Sequence, residues 1–256
     1  MQTKALWSAL ASLGVGIFVA CSPDPPIVSA SDVYRPFGYG SGNKYTGIHD
    51  RSQKTASVSR STPSVGSSRI SASSLMRQVG IKYDYLSYRA RGRSRKSMNP
   101  RYITIHSTQN WSKGADARRH SLALKRGALG RLSWHYTVDE DIAVQHLPTT
   151  EQGNHADFNG PGNRYSIGIE MCEHPGNSRS ATTERTAKLA AWLMYKHKIP
   201  LSKVVPHYTW PRKGKNPPNK NCPHFLLDNG RPGYKWRGFL RKVDFYHRKI
   251  TSGAYG

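Results

Sequence analysis

The stretch Val204–Pro223, VVPHYTWPRKGKNPPNKNCP, places His207 at the end of a short β-branched run. Cys222 follows behind a loop rich in Pro and Lys, and Lys220 stands two residues before it. Imidazole and thiolate both ligate a borderline-soft ion such as zinc, and a zinc site takes at least three protein ligands. A third candidate stands far upstream. In Arg101–Thr108, RYITIHST, His106 closes an alternation of β-branched and polar residues that reads as a strand. If His106 and His207 both sit at strand ends, a sheet brings them together over the loop that carries Cys222. No carboxylate occurs between Glu184 and Asp228, so the downstream stretch offers His207, His224 and Cys222 as ligands. Spacing alone is weak support, because the chain has 11 histidines and no compact CxxC or HExxH signature.

The elements that must position these groups follow from pattern. Leu132–Val138 (LSWHYTV) and Ile142–Leu147 read as strands around an acidic turn at Asp139–Asp141. Tyr165–Cys172 (YSIGIEMC) is a near-continuous apolar strand interrupted by Glu170. Lys113–Gly127 predicts a helix with Asp116 near its start, Leu122 and Leu124 as apolar contacts and Gly127 as its stop. Thr182–His197 predicts the best helix of the chain. Thr182 or Thr183 would cap it, Leu189, Trp192, Leu193 and Tyr195 would form its apolar side, and Lys198-Ile199-Pro200 would end it. Leu201–His207 returns to the sheet, and Asp228–Arg248 ends in a further helical segment. The expected fold class is α/β, a mixed central β-sheet flanked by helices, with the site at C-terminal strand ends.

The 256 residues are 36% hydrophobic, enough for one core, and the formal net charge is +24. Such a charge favours polyanionic partners: nucleic acid, anionic lipid or an acidic wall polymer. Three cysteines, Cys21, Cys172 and Cys222, do not make a disulfide scaffold. Residues 1–21 read as a secretory signal: Lys4 precedes an apolar run too short for a confident membrane span. Phe18-Val19-Ala20-Cys21 resembles a lipoprotein cleavage box, and lipidation of Cys21 and plain cleavage near Ala20 both stay open. Residues 22–80 read as a Ser-rich, basic, flexible linker, and 81–250 as one globular domain. Within 22–80, Arg35–His49 is faintly similar to the opening of a lysostaphin-type metallopeptidase, which nothing downstream completes. Tyr88–Lys96, YRARGRSRK, is an arginine-rich patch without a base-reading module, which reads as a basic surface facing an anionic wall or membrane.

Five pieces occur in one order between about Tyr102 and Phe225: YITIHST, SWHYTVDED, GNHA, SIGIEM and HY…KNCP. This ordered set resembles the zinc-dependent N-acetylmuramoyl-L-alanine amidases of the type 2 family, which includes phage T7 lysozyme and is similar to the peptidoglycan recognition proteins. The resemblance implies that 81–250 is a single zinc-amidase domain holding one Zn2+ per chain on His106, His207 and Cys222. It implies Glu170 as the catalytic base, Lys220 as stabiliser of the oxyanion, and Trp134 and His155 as substrate-binding residues. Trp134 departs from the tyrosine of several relatives. The activity implied is hydrolysis of the amide between N-acetylmuramic acid and the L-alanine of peptidoglycan or muropeptides. The chain would be exported to the bacterial envelope, its basic linker against an anionic wall or membrane surface, with no specific nucleic-acid partner. A non-catalytic peptidoglycan binder on the same fold is the alternative, although the cysteine-position ligand that such proteins typically lack is present. A thiol hydrolase with Cys222 as nucleophile would be indifferent to chelators. A Cys172–Cys222 disulfide stays open, and no oligomeric state follows from the sequence.

Overall fold

The computed structural model describes residues 69–251. The expected signal with Cys21, the Arg35–His49 stretch and the linker up to residue 68 lie outside the described residues. The fold is mixed α/β: six strands in the order β1-β4-β3-β5-β2-β6, with helices packed on them. The strands are β1 (Ile81–Tyr83), β2 (Tyr102–Ser107), β3 (Tyr136–Val138), β4 (Ala143–Gln145), β5 (Ser166–Met171) and β6 (Val204–Pro206). Only the β3–β4 pair is antiparallel; the tight acidic turn at Asp139–Asp141 allows it, its backbone N–H groups at Asp141 and Ile142 donating to Asp139 Oδ1.

The ordered domain begins before residue 81. Helix α1 (Ala72–Val79) falls inside the stretch expected to be linker. Its serines are a helix start rather than a tether: Ser71 Oγ accepts from the Ser74 N–H, Leu75 and Val79 one turn apart are fully buried, and Gly80 ends the helix at φ +68°. The helix α2 (Ala117–Lys125) has Asp116 as its N-cap. Leu124 is buried, but Leu122 is 44% exposed and makes no core contact, since a two-residue step turns it to the opposite side of the helix.

The short α3 (Pro161–Tyr165) leads into β5. The long helix α4 (Arg179–His197) starts a turn earlier than expected, because Ser178, not a threonine, accepts from the Ala181 N–H. Leu189 and Leu193 are fully buried while Tyr195 is 39% exposed. Lys198 in the left-handed region and Pro200 terminate α4. With α5 (Tyr234–Thr251) and α1, α4 covers one face of the sheet and encloses the core of Ile103, Ile105, Tyr136, Ile167, Ile169 and Met171. The opposite face carries Thr104, His106, Ser166, Gly168 and Glu170, because side chains alternate along a strand.

Candidate metal centre

Three adjacent strands end together. In the parallel register His106 of β2 lies opposite Glu170 of β5, and Ile105 lies opposite Pro206 of β6, so His207 follows at the level of His106. Cys222 arrives by the Pro-rich loop, which is fixed by the Tyr208 N–H donating to the Cys222 carbonyl at 3.1 Å. His106, His207 and Cys222 are all buried, and their ligating atoms lie within 4.8 Å of one another.

The hydrogen bonds determine which ring nitrogens carry protons. His207 Nε2 faces the Ala156 carbonyl at 3.2 Å, an acceptor, so Nε2 holds the proton and Nδ1 is a bare lone pair. His155 Nε2 likewise donates to the Ser166 carbonyl at 3.2 Å, which leaves its Nδ1 to accept from His106 Nε2 at 3.0 Å. His106 Nδ1 is therefore also a lone pair, and it faces His207 Nδ1 at 2.9 Å. Two facing lone pairs at this distance repel each other, a repulsion that a bound cation would relieve. A proton is disfavoured: burial first, then neighbouring positive charge including Lys220, pushes His207 down to about 3 and His106 well below the usual imidazole range. The donor set, two imidazoles and one sulfur, suits zinc.

Cys222 Sγ accepts from the Ser107 N–H at 3.3 Å. Burial pushes its thiol up to about 12, against the lowering influence of Lys220. Such a buried thiol is protonated at neutral pH and is no free nucleophile, while a metal ion would hold it as thiolate. Cys172 and Cys222 are both free, so the disulfide is not formed. Glu170 Oε1 stands 3.8 Å from His106 Nδ1, and Oε2 is buried without a hydrogen-bond partner among the described residues. Burial raises this carboxyl to about 7, with Lys220 opposing and Glu173 adding to the shift. Lys220 is half-buried at the entrance, close enough for its charge to bear on Glu170, Cys222 and both histidines.

The two residues expected to meet substrate have these surroundings. Trp134 is 6% exposed, packs with Leu86, Leu124 and Leu147 and donates from Nε1 to Thr137 Oγ1 at 2.7 Å, so it serves a second small core. His155 has both ring nitrogens engaged and lies over Gly168, where a Cβ would come within 2.8 Å of the ring. It orients His106. Tyr136 points into the main core and is fully buried.

Supporting groups not singled out from the sequence are Asn163, Ser107 and Glu173. Asn163 Oδ1 accepts from the His155 and Ala156 N–H groups at 2.9 and 2.7 Å, fixing both the ring and the carbonyl that orient the ligands. Its place in the Gly/Pro/Asn-rich stretch NGPGN, residues 159–163, was the available signal. Glu173 Oε2 accepts from the Gln109 N–H at 3.0 Å, and its Oε1 lies 3.4 Å from His224 Nε2 beside Cys222.

Comparison with known proteins places the chain in a family. The profile of the N-acetylmuramoyl-L-alanine amidase family Amidase_2 matches residues 96–225. The chain is 40% identical over 181 residues to N-acetylmuramoyl-L-alanine amidase CwlH of Bacillus subtilis (strain 168), covering 69% of this chain and 67% of that protein. It is 43% identical over 151 residues to amidase XlyA of the same organism, covering 59% of this chain and 48% of XlyA, so it spans about half of that relative. The solved catalytic domain of XlyA superposes with a TM-score of 0.57 at 41% identity, covering 64% of this chain and 99% of that structure. The structure of PlyL gives 0.53 at 28% identity, covering 64% and 96%. Profile, identity and superposition agree, and the chain belongs to the N-acetylmuramoyl-L-alanine amidase family.

Proposed function

We propose that this protein is a zinc-dependent peptidoglycan amidase that cleaves the bond between N-acetylmuramic acid and the L-alanine of the stem peptide. The carrying observation is the approach of His106 Nδ1 and His207 Nδ1 to 2.9 Å, with Cys222 beside them and Glu170 at the same level of the sheet. His106, His207 and Cys222 would hold the ion, and three protein ligands leave one tetrahedral position open. When bound, zinc supplies Lewis acidity toward the amide carbonyl and acidifies water toward neutrality. Glu170, with a carboxyl near 7 and a free Oε2, would take a proton from the attacking water and return it to the leaving amine of L-alanine. Lys220 would stabilise the oxyanion that develops on the carbonyl. His155 and the Ala156 carbonyl would keep the two imidazoles in the ligating tautomer. Export to the cell envelope, read from residues 1–21, belongs to the same proposal because the substrate lies there.

The test is to purify the full chain, quantify bound zinc and follow peptidoglycan digestion by mass spectrometry with and without a chelator. One zinc per chain, and stem peptides beginning at L-alanine that disappear on chelation and return with zinc, are expected. Cleavage indifferent to chelation, or zinc binding without release of these peptides from wall or muropeptides, would overturn the reading.

A further inference from the structure

The arginine-rich stretch Tyr88–Lys96 is not used by the metal centre, yet it is built into the fold. The Gln152 N–H donates to the Lys96 carbonyl at 2.8 Å, the Met98 N–H donates to the Thr150 carbonyl at 2.7 Å, and Ser97 bridges Glu151. Arg93 clasps Glu151 through Nε and Nη2, at 2.9 and 2.8 Å. This pair neutralises the nearby acid and fixes the loop on residues 150–152. What remains is positive. Arg91, Arg95, Lys96, Arg131 and Arg164 are exposed and line two adjoining recesses of about 420 and 540 Å³, neither of which has an acidic residue in its wall.

The neutral part of the wall is also informative. Gln152 lines both recesses and is only 7% exposed, yet its side-chain amide makes no hydrogen bond among the described residues. Asn159 joins it in both, and Asn154 contributes to the smaller one. Guanidinium groups pair with phosphate through two parallel N–H donors, and carboxamides both donate to and accept from hydroxyls. The recess is a poor platform for nucleobases, because the aromatic ring in its walls, Tyr165, already has Arg101 over it at 4.9 Å. Single-strand binding relies on free aromatic faces. A flat lipid surface likewise does not enter a concave site.

We propose that this double recess binds an anionic polyol-phosphate polymer, its phosphates on the arginines and its hydroxyls on Gln152, Asn154 and Asn159. The site needs no metal and would act independently of hydrolysis, holding the domain on an acidic chain.

The experiment is calorimetric titration of the full chain with synthetic poly(glycerol phosphate) of defined length, without peptidoglycan, so its outcome is separate from that of the amidase assay. The triple variant R91Q/R131Q/R164Q is compared with K196Q/K235Q/R237Q, which removes equal charge from exposed positions on α4 and α5. The recess variant is expected to bind about tenfold weaker or more near physiological salt, with a salt dependence reduced by about two ions, while the control loses less than about threefold. Q152L, which alters no charge, is expected to weaken binding by about threefold. All six charge substitutions are at exposed side chains, and unchanged melting temperatures would show that folding is intact. Equal losses in the two triple variants would reduce the effect to diffuse charge and overturn the site. Equal or tighter binding of a single-stranded DNA with the same number of phosphates, or of anionic phosphatidylglycerol vesicles, would overturn the assigned ligand.

Discussion

The two faces of the sheet are built on opposite principles. Against α1, α4 and α5 the strands present Ile103, Ile105, Ile167, Ile169 and Met171, apolar groups whose stability comes from area and fit. One residue along each strand, the other face presents Thr104, His106, Ser166, Gly168 and Glu170, almost as deeply buried. These groups are held by specific bonds: Trp210 Nε1 donates to Thr104 Oγ1 at 2.9 Å, and the Gly168 N–H donates to His135 Nδ1 at 2.9 Å. An apolar face tolerates substitution in proportion to volume lost. On a buried polar face, removing one partner leaves another group unsatisfied. Among these five residues Glu170 differs: its Oε2 has no hydrogen-bond partner among the described residues and belongs to the proposed chemistry.

The largest effect is expected at the ligands. Cys222→Ser or His207→Ala should abolish stoichiometric zinc, measured by elemental analysis, and with it peptidoglycan cleavage. Glu170→Gln should lower the turnover rate by about 10²–10⁴-fold while zinc content is kept; loss of zinc in this variant would assign Glu170 to the metal instead. A matched pair compares the faces directly. Gly168→Ala brings a Cβ within 2.8 Å of the His155 ring and should weaken zinc affinity about 10–100-fold. Leu193→Ala, in the core, should cost about 2–5 kcal/mol in denaturant unfolding with zinc affinity unchanged.

Acidification should act on the polar face through groups of opposite sign. Burial holds His135 and His207 at about 3 and His155 at about 4, below the 6.5 of an exposed imidazole. Their contribution is therefore full above pH 6.5 and is lost as pH falls toward 4 and 3, at up to about 1.4 kcal/mol per pH unit for each group. Glu170, raised to about 7 by burial, has the opposite sign: its contribution is full below 4.5 and is lost as pH rises through 7. The histidines outnumber it, so the metal-free protein should melt at lower temperature at pH 5 than at pH 7. A higher melting temperature at pH 5 would show that the histidines are not held neutral. The smallest effect is expected at Ile169→Val, next to Gly168 but on the core face, at about 0.5–1.5 kcal/mol with zinc affinity unchanged.

Much was legible in the chain itself. The patterns of RYITIHST and YSIGIEMC already put His106 and Glu170 on strands, because strand propensity is set by neighbouring residues. Asp116 and Gly127 marked the limits of α2 through local capping chemistry. The ordered motifs pointed to His106, His207 and Cys222 as candidate ligands, and the fold brings the three together. Local pattern misread Ser71–Gly80, because a serine-rich composition fits both a tether and a capped helix, and only the burial of Leu75 and Val79 distinguishes them. Local pattern also gave no sign of the small core around Trp134, whose neighbours come from three separate segments.

Tertiary structure decided which strand ends stand side by side. His106 and His207 are 101 residues apart, and a parallel register, not their sequence context, sets their imidazoles 2.9 Å from each other. It also decided which nitrogens are free to ligate, since the protons on His106 and His207 are placed by His155 and the Ala156 carbonyl, groups from another loop. Strand propensity and motif order arise from neighbouring residues, and so a sequence carries them. Proton placement and ligand convergence depend on distances between segments remote in the chain, which only the packed fold fixes.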